Sequence, residues 1–286
     1  MTVGEALLTI VPLLAVALVL LTRAFAEVSR VRIERFARRQ RLVITPGNAP
    51  FVIGYLATTR RWRGVGLVAA VVAVAEYWQL TSNWLRFDVV AAFVGWFIGA
   101  TVADWRIGTS RTDTAKRRAT LVPRQLTRYV PTSGRVVAGL AVTLLLVVTV
   151  LAAINAVDGS RRGRLVAQLA VCVLIAAAVL AAGRRVLRRP QPSGPPDLVA
   201  ADEAVRGRSL CVLTGSTIAI AGYLTAWLSA SLESTDVVVF ANGAARPVIA
   251  IGGLVLPLLG AMTAFAIARH PKQPAPVDAA AVGGAR

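Results

Sequence analysis

The chain has little of the chemistry from which most enzyme sites are built. It contains one histidine, His270, and two cysteines, Cys172 and Cys211, among 286 residues. Both cysteines fall within apolar runs, where a thiol behaves as a small hydrophobic group, so the sequence excludes a disulfide framework. The only histidine lies in the predicted C-terminal tail, which excludes a Ser-His nucleophile or a histidine-ligated metal site among the apolar segments. We therefore expect neither a metal nor another cofactor.

Acidic residues are also scarce, and charge of either sign is uncommon. The chain has 14 Asp and Glu against 32 Lys and Arg, so its formal net charge is +18, yet 16% of its residues are charged and 56% are hydrophobic. Soluble globular proteins contain about 45–50% apolar and about 25% charged residues. The composition therefore predicts a membrane protein. Its preference for Ala, Val, Leu, Gly and Arg over Lys and Asn is typical of a GC-rich bacterial genome.

Seven apolar stretches are long enough to cross a bilayer. A helix needs roughly 17–25 mostly apolar residues to span a hydrocarbon core of about 30 Å. The sequence therefore predicts an all-α membrane bundle within a single domain (1–270), made of one N-terminal span and three hairpins, with a disordered tail (271–286). The predicted spans are 6–22, 64–80, 89–105, 136–157, 165–183, 209–232 and 247–268.

Arginine and lysine predict the orientation of the spans, because cytoplasmic loops carry an excess of positive charge. With the N-terminus outside, the inner segments hold 27 of the 32 basic residues and the outer loops hold 5. Ala24 and Ala26 form the small-x-small pattern of a signal peptidase site, but the arginines follow the first apolar run instead of preceding it, so we expect an uncleaved span. The sequence predicts a multi-pass protein of the bacterial plasma membrane with a cytoplasmic C-terminus.

The segment 26–43, AEVSRVRIERFARRQRLV, is a basic cluster with six arginines and two glutamates. A nucleic-acid site would interleave aromatic stacking platforms with the basic residues, and Phe36 is the only aromatic residue here. We therefore expect no nucleic acid and interpret the cluster as a topology determinant that binds anionic lipid headgroups. The spacing around Glu34 predicts a helix that continues out of the membrane. The predicted headgroup contacts are Arg30, Arg32, Arg35, Arg38 and Arg39.

Ionisable and polar groups at membrane depth provide the candidates for a substrate or proton path, because burying them in lipid is costly. Glu76, Asp88 and Asp104 lie near the ends of predicted spans, where the cost is smaller and snorkelling to water also explains them. Thr217 and Thr225 belong to a stripe of small residues on one face of the sixth span. Tight helix packing is the alternative interpretation of that stripe.

Glycines on two spans predict close helix packing, since small residues let helices approach each other. Gly95 and Gly99 are four residues apart on the third span, and Gly253, Pro257 and Gly260 share one face of the seventh. Pro257 is also a candidate hinge, because it leaves the carbonyl of Gly253 without its helical hydrogen bond. A homo-oligomer or a partner subunit in a membrane complex would suit such faces.

The segment PPDLVAADEAVRGRS holds three carboxylates within an otherwise basic inner loop. Asp197 follows two prolines and is a candidate helix N-cap, while Asp202 and Glu203 lie four and three residues before Arg206. A short capped helix leading into the sixth span explains this pattern. A partner that docks on Asp197, Asp202 and Glu203 is the alternative.

No motif identifies a substrate, and the sequence lacks a Gly-Lys-Ser/Thr phosphate loop. The first hypothesis is a non-enzymatic membrane component, either a permease-like carrier or the membrane subunit of a larger complex. The alternative is a membrane-anchored scaffold or sensor with a basic cytoplasmic face. An intramembrane enzyme ranks third, because it would have to use carboxylates alone.

Overall fold

The computed structural model describes residues 15, 17–82, 89–109, 125–154, 159–190, 195–233 and 245–265. These residues form helices joined by turns, with no strand among them, so the all-α prediction is confirmed over this part of the chain. The helices are α1 (17–25), α2 (Arg30–Gln40), α3 (Ala49–Ser82), α4 (Val89–Thr109), α5 (Leu126–Tyr129), α6 (Thr132–Ile154), α7 (Gly159–Arg188), α8 (Pro196–Glu233), α9 (Ala245–Ala250), a π-helical turn (Ile251–Val255) and α10 (Leu256–Phe265).

Three of the described helices are long and apolar enough to cross a membrane. They are Thr132–Ile154, Pro196–Ser229 and Pro247–Phe265, and they correspond to the fourth, sixth and seventh predicted spans. Three is fewer than the seven predicted from the sequence. Of the other predicted spans, 64–80, 89–105 and 165–183 lie within α3, α4 and α7, whereas 6–22 extends outside the described residues, as does the tail 271–286.

Helix α8 is the centre of the bundle. It contacts α3, α4, α6, α7, α9, α10 and the π-helical turn. In its apolar stretch 83% of the residues are buried inside the protein, against 17% in α6. The apolar side chains of α6 therefore face outward, with Leu140, Leu146 and Ile154 each more than half exposed, as expected of a helix with lipid on one side.

Helix α2 is separate from the helix that precedes it. The sequence predicted a helix running on from the first span, but the chain breaks at residues 26–29 and α2 starts after Ser29. The predicted i, i+4 contact is present, since Arg30 Nε lies 3.2 Å from Glu34 Oε1. The helix ends at Gln40, and the next residue, Arg41, turns the chain towards α3 with a φ of 50°. Phe36 and Gln40 are buried on the inner side of α2.

The long helix α3 begins well before the predicted second span. The turn at residues 46–48 ends at Asn48, and α3 runs unbroken from Ala49 to Ser82. Pro50 does not break the helix because it lies in the first turn, where a backbone N–H has no helical partner in any case. The first fifteen residues of α3 therefore continue directly into the predicted second span.

Candidate functional site

A cavity of about 450 Å³ lies between α1, α2, α3, α4, α8 and α10. Its charged lining is entirely basic over the described residues, which contribute no Asp or Glu to its wall. Seven guanidinium groups around one cavity create a strongly positive potential, because no carboxylate in the wall offsets them. We call this cavity the basic pocket. Its arginines are Arg23, Arg32, Arg35, Arg39, Arg60, Arg63 and Arg208.

Helical periodicity explains how α2 and α3 build most of the basic pocket. Arg32, Arg35 and Arg39 lie three and four residues apart, so they share one face of α2. On α3, Arg60 and Arg63 extend a face that begins at Tyr55 and also lines the pocket. The two helices are joined by an apolar cluster that includes the lining residues Phe36 and Tyr55, whose ring centroids are 6.0 Å apart.

Three of the arginines are held by uncharged groups. Arg60 donates from Nε to the carbonyl of Ala24 and from Nη1 to that of Glu27, both at 3.1 Å. The guanidinium of Arg63 lies 4.4 Å from the centre of the Trp96 ring, a cation–π contact. Carbonyls and rings fix the position of a guanidinium without neutralising its charge, so these groups stay available to an anion.

Arg208 is held in the same way from the other side of the pocket. Its Nη1 donates to the carbonyl of Ala264, and its guanidinium lies 5.1 Å from the centre of the Phe265 ring. These contacts place one cation from the central helix α8 opposite the cations of α2 and α3. The pocket therefore gathers positive charge from four helices, the consecutive α1, α2 and α3 and the distant α8.

Some polar atoms of the pocket residues are buried without a partner. Among the described residues, nothing hydrogen-bonds to Nη2 of Arg60, Nε of Arg63 or Oε1 of Gln40. Gln40 itself is only 2% exposed. Buried donors and acceptors are nearly always paired, so these three pocket residues retain unfilled hydrogen-bonding capacity.

The structure divides the five arginines that were predicted to contact lipid headgroups. All five are exposed, but Arg32, Arg35 and Arg39 line the basic pocket, whereas Arg30 and Arg38 lie outside its wall. Sequence reasoning treated the cluster as one surface and missed the pocket. The i, i+3, i+7 spacing of Arg32, Arg35 and Arg39 indicates one helix face, which includes neither Arg30 nor Arg38. This spacing could have separated the two groups of arginines from the sequence.

Asp104 lies beside the basic pocket, not in its wall. It is 3% exposed on α4, and Oδ1 accepts a hydrogen bond of 2.6 Å from the hydroxyl of Ser209 on α8. The carboxylate is within electrostatic range of Arg63 and Arg208. Asp104 was expected near an interface at small cost, but it is buried between helices, where it partly balances the pocket's charge.

The other members of the predicted substrate or proton path do not join Asp104. Glu76 lies on α3, and Asp88 lies outside the described residues. The hydroxyls of Thr217 and Thr225 donate to the carbonyls of Leu213 and Ala221 on their own helix, at 3.0 and 2.8 Å. Hydroxyls satisfied within their own helix fit packing better than a polar path.

Glycines bring neighbouring helices to backbone contact. A Cβ added at Gly95 or Gly99 of α4 would lie less than 3.0 Å from α3, meeting Gly66 and Trp62 respectively. Between α8 and the C-terminal helices, the close pairs are Gly215 with Gly260 and Gly222 with Gly252. Sequence reasoning missed Gly215 and Gly222, although their seven-residue spacing in an apolar helix was visible.

The predicted Gly253 lies at a looser contact, and the π-helical turn explains why. A Cβ at Gly253 would find only Ala226 nearby, at 3.5 Å, whereas Gly252 faces the backbone of α8. The π-helical turn covers Ile251–Val255, directly before α10, whose second residue is the buried Pro257. A π-helical turn adds one residue to a helix, so the face predicted for a regular helix is rotated by one position.

The acidic segment forms the first turns of α8, which continues into the predicted sixth span as one helix of 38 residues. Asp197 accepts hydrogen bonds from the hydroxyl of Thr45 and from the backbone N–H of Leu198, the latter at 2.9 Å. Docking of a partner on this segment stays a prediction. Because Asp202 is 0% exposed, such a partner would contact Asp197 and Glu203 instead.

Glu203 does not make its predicted pair with Arg206; instead it accepts a hydrogen bond of 2.8 Å from the hydroxyl of Tyr129 on α5. Burial raises the pKa of Tyr129 to about 12, and the hydrogen bond to Glu203 acts in the same direction. The phenol therefore remains a donor throughout the physiological pH range. This contact fixes α5 against the start of α8.

Asp202 and two arginines form a buried ion-pair cluster. Asp202 accepts hydrogen bonds from Arg189 and, at 2.8 Å, from Arg206, which confirms the i, i+4 pair predicted from the sequence. Arg206 also donates to the carbonyls of Val186, Leu187 and Arg189, at 2.9 to 3.2 Å. The cluster thus caps the carboxyl end of α7, where a cation is favoured.

No protein-family model, curated protein or solved structure matches the chain. Among the described residues there is also no group of three His, Cys, Asp or Glu side chains that could hold a metal ion. A function must therefore be argued from the geometry of this chain, and the basic pocket is its most distinctive feature.

Proposed function

We propose that the protein is a seven-span protein of the bacterial plasma membrane with its N-terminus outside. Three helices with the length and composition of spans support this, as does the distribution of Lys and Arg, 27 on the proposed inner side and 5 on the outer side. Outward-facing apolar side chains on α3, α4 and α7, among them Val72, Phe93 and Leu174, favour lipid around those helices too.

Reporter fusions test the proposed topology. A reporter that is active only outside the cytoplasm is expected to be active when fused after Arg86 or Arg162, and inactive after Arg128 or Pro190, because the proposed loops alternate between sides. The same positions fused to a cytoplasmic reporter serve as the control and should give the reverse pattern. Low activity of the external reporter after both Arg86 and Arg128 would remove the second and third spans from the topology.

Within that topology we propose a non-enzymatic component that binds an anionic ligand at its inner face, as a carrier or as the membrane subunit of a complex. The single observation that carries this proposal is the basic pocket, with seven arginines and no carboxylate in its described wall. Phosphate and carboxylate groups are the ligands that guanidinium groups bind best, through paired hydrogen bonds. An anion would also relieve the mutual repulsion of the arginines.

Anion-dependent stability tests this function. Inorganic pyrophosphate is expected to raise the unfolding temperature of the delipidated, detergent-solubilised protein above that in sodium chloride of equal ionic strength, because a ligand at 100 times its Kd adds about 2.7 kcal/mol to the free energy of unfolding. The double variant Arg60→Gln/Arg63→Gln should lose this increase. The matched control Arg30→Gln/Arg38→Gln removes the same charge outside the pocket and should keep it.

Two results would contradict the anion-binding proposal. One is an unfolding temperature that responds equally to pyrophosphate and to chloride. The other is a pyrophosphate response that survives in Arg60→Gln/Arg63→Gln but disappears in Arg30→Gln/Arg38→Gln, because the anion would then bind the exposed face of α2 and not the pocket.

A further inference from the structure

The wall of the basic pocket has a charged part and an apolar part. The seven arginines lie outside the predicted spans, and Arg23, Arg63 and Arg208 directly adjoin span ends. Phe36, Tyr55 and Leu56 also line the pocket outside the spans. Four further large apolar lining residues, one each on α1, α3, α4 and α10, lie within the predicted spans: Leu20, Leu67, Trp96 and Phe265. The pocket therefore extends from the level of the lipid headgroups towards the level of the acyl chains.

This division matches the chemistry of one kind of molecule. A free inorganic anion would contact the arginines and leave Leu20, Leu67 and Phe265 facing an empty or water-filled space, which costs free energy. An apolar ligand would leave the guanidinium groups without a counter-charge. An amphiphile with a phosphate group satisfies both parts, and inner-leaflet lipids present such groups at this depth.

We propose that the basic pocket binds one anionic phospholipid, with its phosphate between the arginines of α2, α3 and α8 and an acyl chain along the apolar wall. This inference rests on the proposed anion-binding function and names its ligand class. The pocket-lining guanidinium groups of α2, α3 and α8 are suited to donate to the phosphate oxygens.

The pocket is preorganised for this lipid. Arg63 is positioned by the Trp96 ring, and Arg208 by the Ala264 carbonyl and the Phe265 ring. Trp96 and Phe265 themselves line the pocket, so the rings that orient the cations also form the apolar wall. A volume of about 450 Å³ lies within the usual range of ligand pockets, about 300–1,000 Å³.

Native mass spectrometry of the delipidated protein tests the proposal with four defined probes: phosphatidylglycerol, phosphatidylcholine, glycerol phosphate and inorganic pyrophosphate. We expect one phosphatidylglycerol per chain, bound at least about tenfold more tightly than either water-soluble anion, because only the lipid fills the apolar wall. Phosphatidylcholine, whose choline cation would face the arginines, should bind at least about tenfold more weakly than phosphatidylglycerol.

Pocket variants locate the bound lipid. Arg60→Gln/Arg63→Gln should weaken phosphatidylglycerol binding by about 10- to 100-fold, since charge-assisted hydrogen bonds are lost. Arg30→Gln/Arg38→Gln, on the exposed face of the same basic segment, should leave it within about twofold. Leu67→Gln should weaken the binding of phosphatidylglycerol but not that of pyrophosphate. Val72→Gln, on the same helix but outside the pocket wall, should change the binding of neither.

The outcomes separate this inference from the proposed function. Glycerol phosphate binding as tightly as phosphatidylglycerol would overturn the lipid assignment while leaving an anion-binding protein. Equal binding of phosphatidylcholine and phosphatidylglycerol would also overturn the lipid assignment, because the pocket would then not distinguish lipids by the charge of their headgroups. Binding of none of the phosphate compounds would overturn both the lipid assignment and the anion-binding function.

Discussion

Replacing Asp202 by alanine is expected to lower the free energy of unfolding by about 3–5 kcal/mol, because the change removes one member of a buried ion-pair cluster. Asp202 is 0% exposed and Arg206 is 1% exposed. Both Arg189 and Arg206 donate to the two oxygens of this one carboxylate. The alanine variant would leave two guanidinium groups in a poorly hydrated position without that counter-charge.

The effect should reach beyond the cluster, since Arg206 also binds three carbonyls at the carboxyl end of α7. If Arg206 moves towards water to recover its hydration, those carbonyls lose their donor and the contact between α7 and α8 loosens. The measurement is thermal unfolding in detergent micelles, followed by circular dichroism. For a chain of this size the expected fall in the unfolding temperature is about 10 °C.

Glu34→Ala is the matched control for Asp202→Ala. Arg30 and Glu34 have the same i, i+4 spacing as Asp202 and Arg206, but their side chains are 92% and 53% exposed. An exposed pair of this kind contributes roughly 0–1 kcal/mol, so the unfolding temperature should hardly change. Similar small shifts in the two variants would show that water reaches the Asp202 cluster, contrary to its burial in the structure.

A triple apolar variant separates the net stabilisation by the ion pairs from the free-energy cost of burying an unpaired charge. Replacing Asp202, Arg189 and Arg206 together by leucine removes the carboxylate and both cations. Buried ion pairs replaced as a set by apolar residues are often neutral or stabilising. We expect the triple variant to be more stable than Asp202→Ala, although the α7 carbonyls lose Arg206. A triple variant less stable than Asp202→Ala would mean that capping of α7 dominates.

Local patterns predicted local features of this molecule well. Long apolar runs anticipated the described parts of six helices, and the four-residue spacing of Asp202 and Arg206 anticipated their ion pair. Both follow from helical periodicity, which relates residues that are close in the chain. The same periodicity could not reveal that Arg189, from the end of the preceding helix, completes the cluster.

The basic pocket could not be predicted because its wall brings α8 and α10 together with α1 to α4, from which they are distant in the sequence. Which of the arginines line a cavity and which face water depends on how α2 folds back onto α3, and the sequence suggested a helix running straight on from α1. Gly252 was missed for a different reason, since the π-helical turn shifts the face of the helix by one residue. Helical periodicity in the sequence predicts neither the packing of distant helices nor a local irregularity such as the π-helical turn.

Gly99→Ala is expected to destabilise the protein by about 1–3 kcal/mol, the usual cost of an extra methyl group in a tightly packed site. The added Cβ would lie less than 3.0 Å from the backbone carbonyl of Trp62 on α3. A backbone atom in the middle of a long helix cannot rotate away as a side chain can. The variant therefore forces α3 and α4 apart.

The displacement should also change ligand binding, because the next backbone atom in contact is the Cα of Arg63, at 3.0 Å from the added Cβ. Arg63 lines the basic pocket and is oriented by Trp96 of α4. Separating the two helices moves the cation away from the ring that positions it. We expect Gly99→Ala to weaken the pyrophosphate response as well as to lower the unfolding temperature.

Gly139→Ala provides the matched control, since it makes the same change in another apolar helix. A Cβ at Gly139 of α6 would meet nothing within 4 Å, so the substitution should be neutral or stabilise the protein by up to about 1 kcal/mol through its helix propensity. Both variants are compared by thermal unfolding in the same detergent, with and without pyrophosphate. If Gly99→Ala behaves like Gly139→Ala in both measurements, the backbone contact of α3 with α4 does not position Arg63, and the pocket would have to be held by α2 and α8 alone.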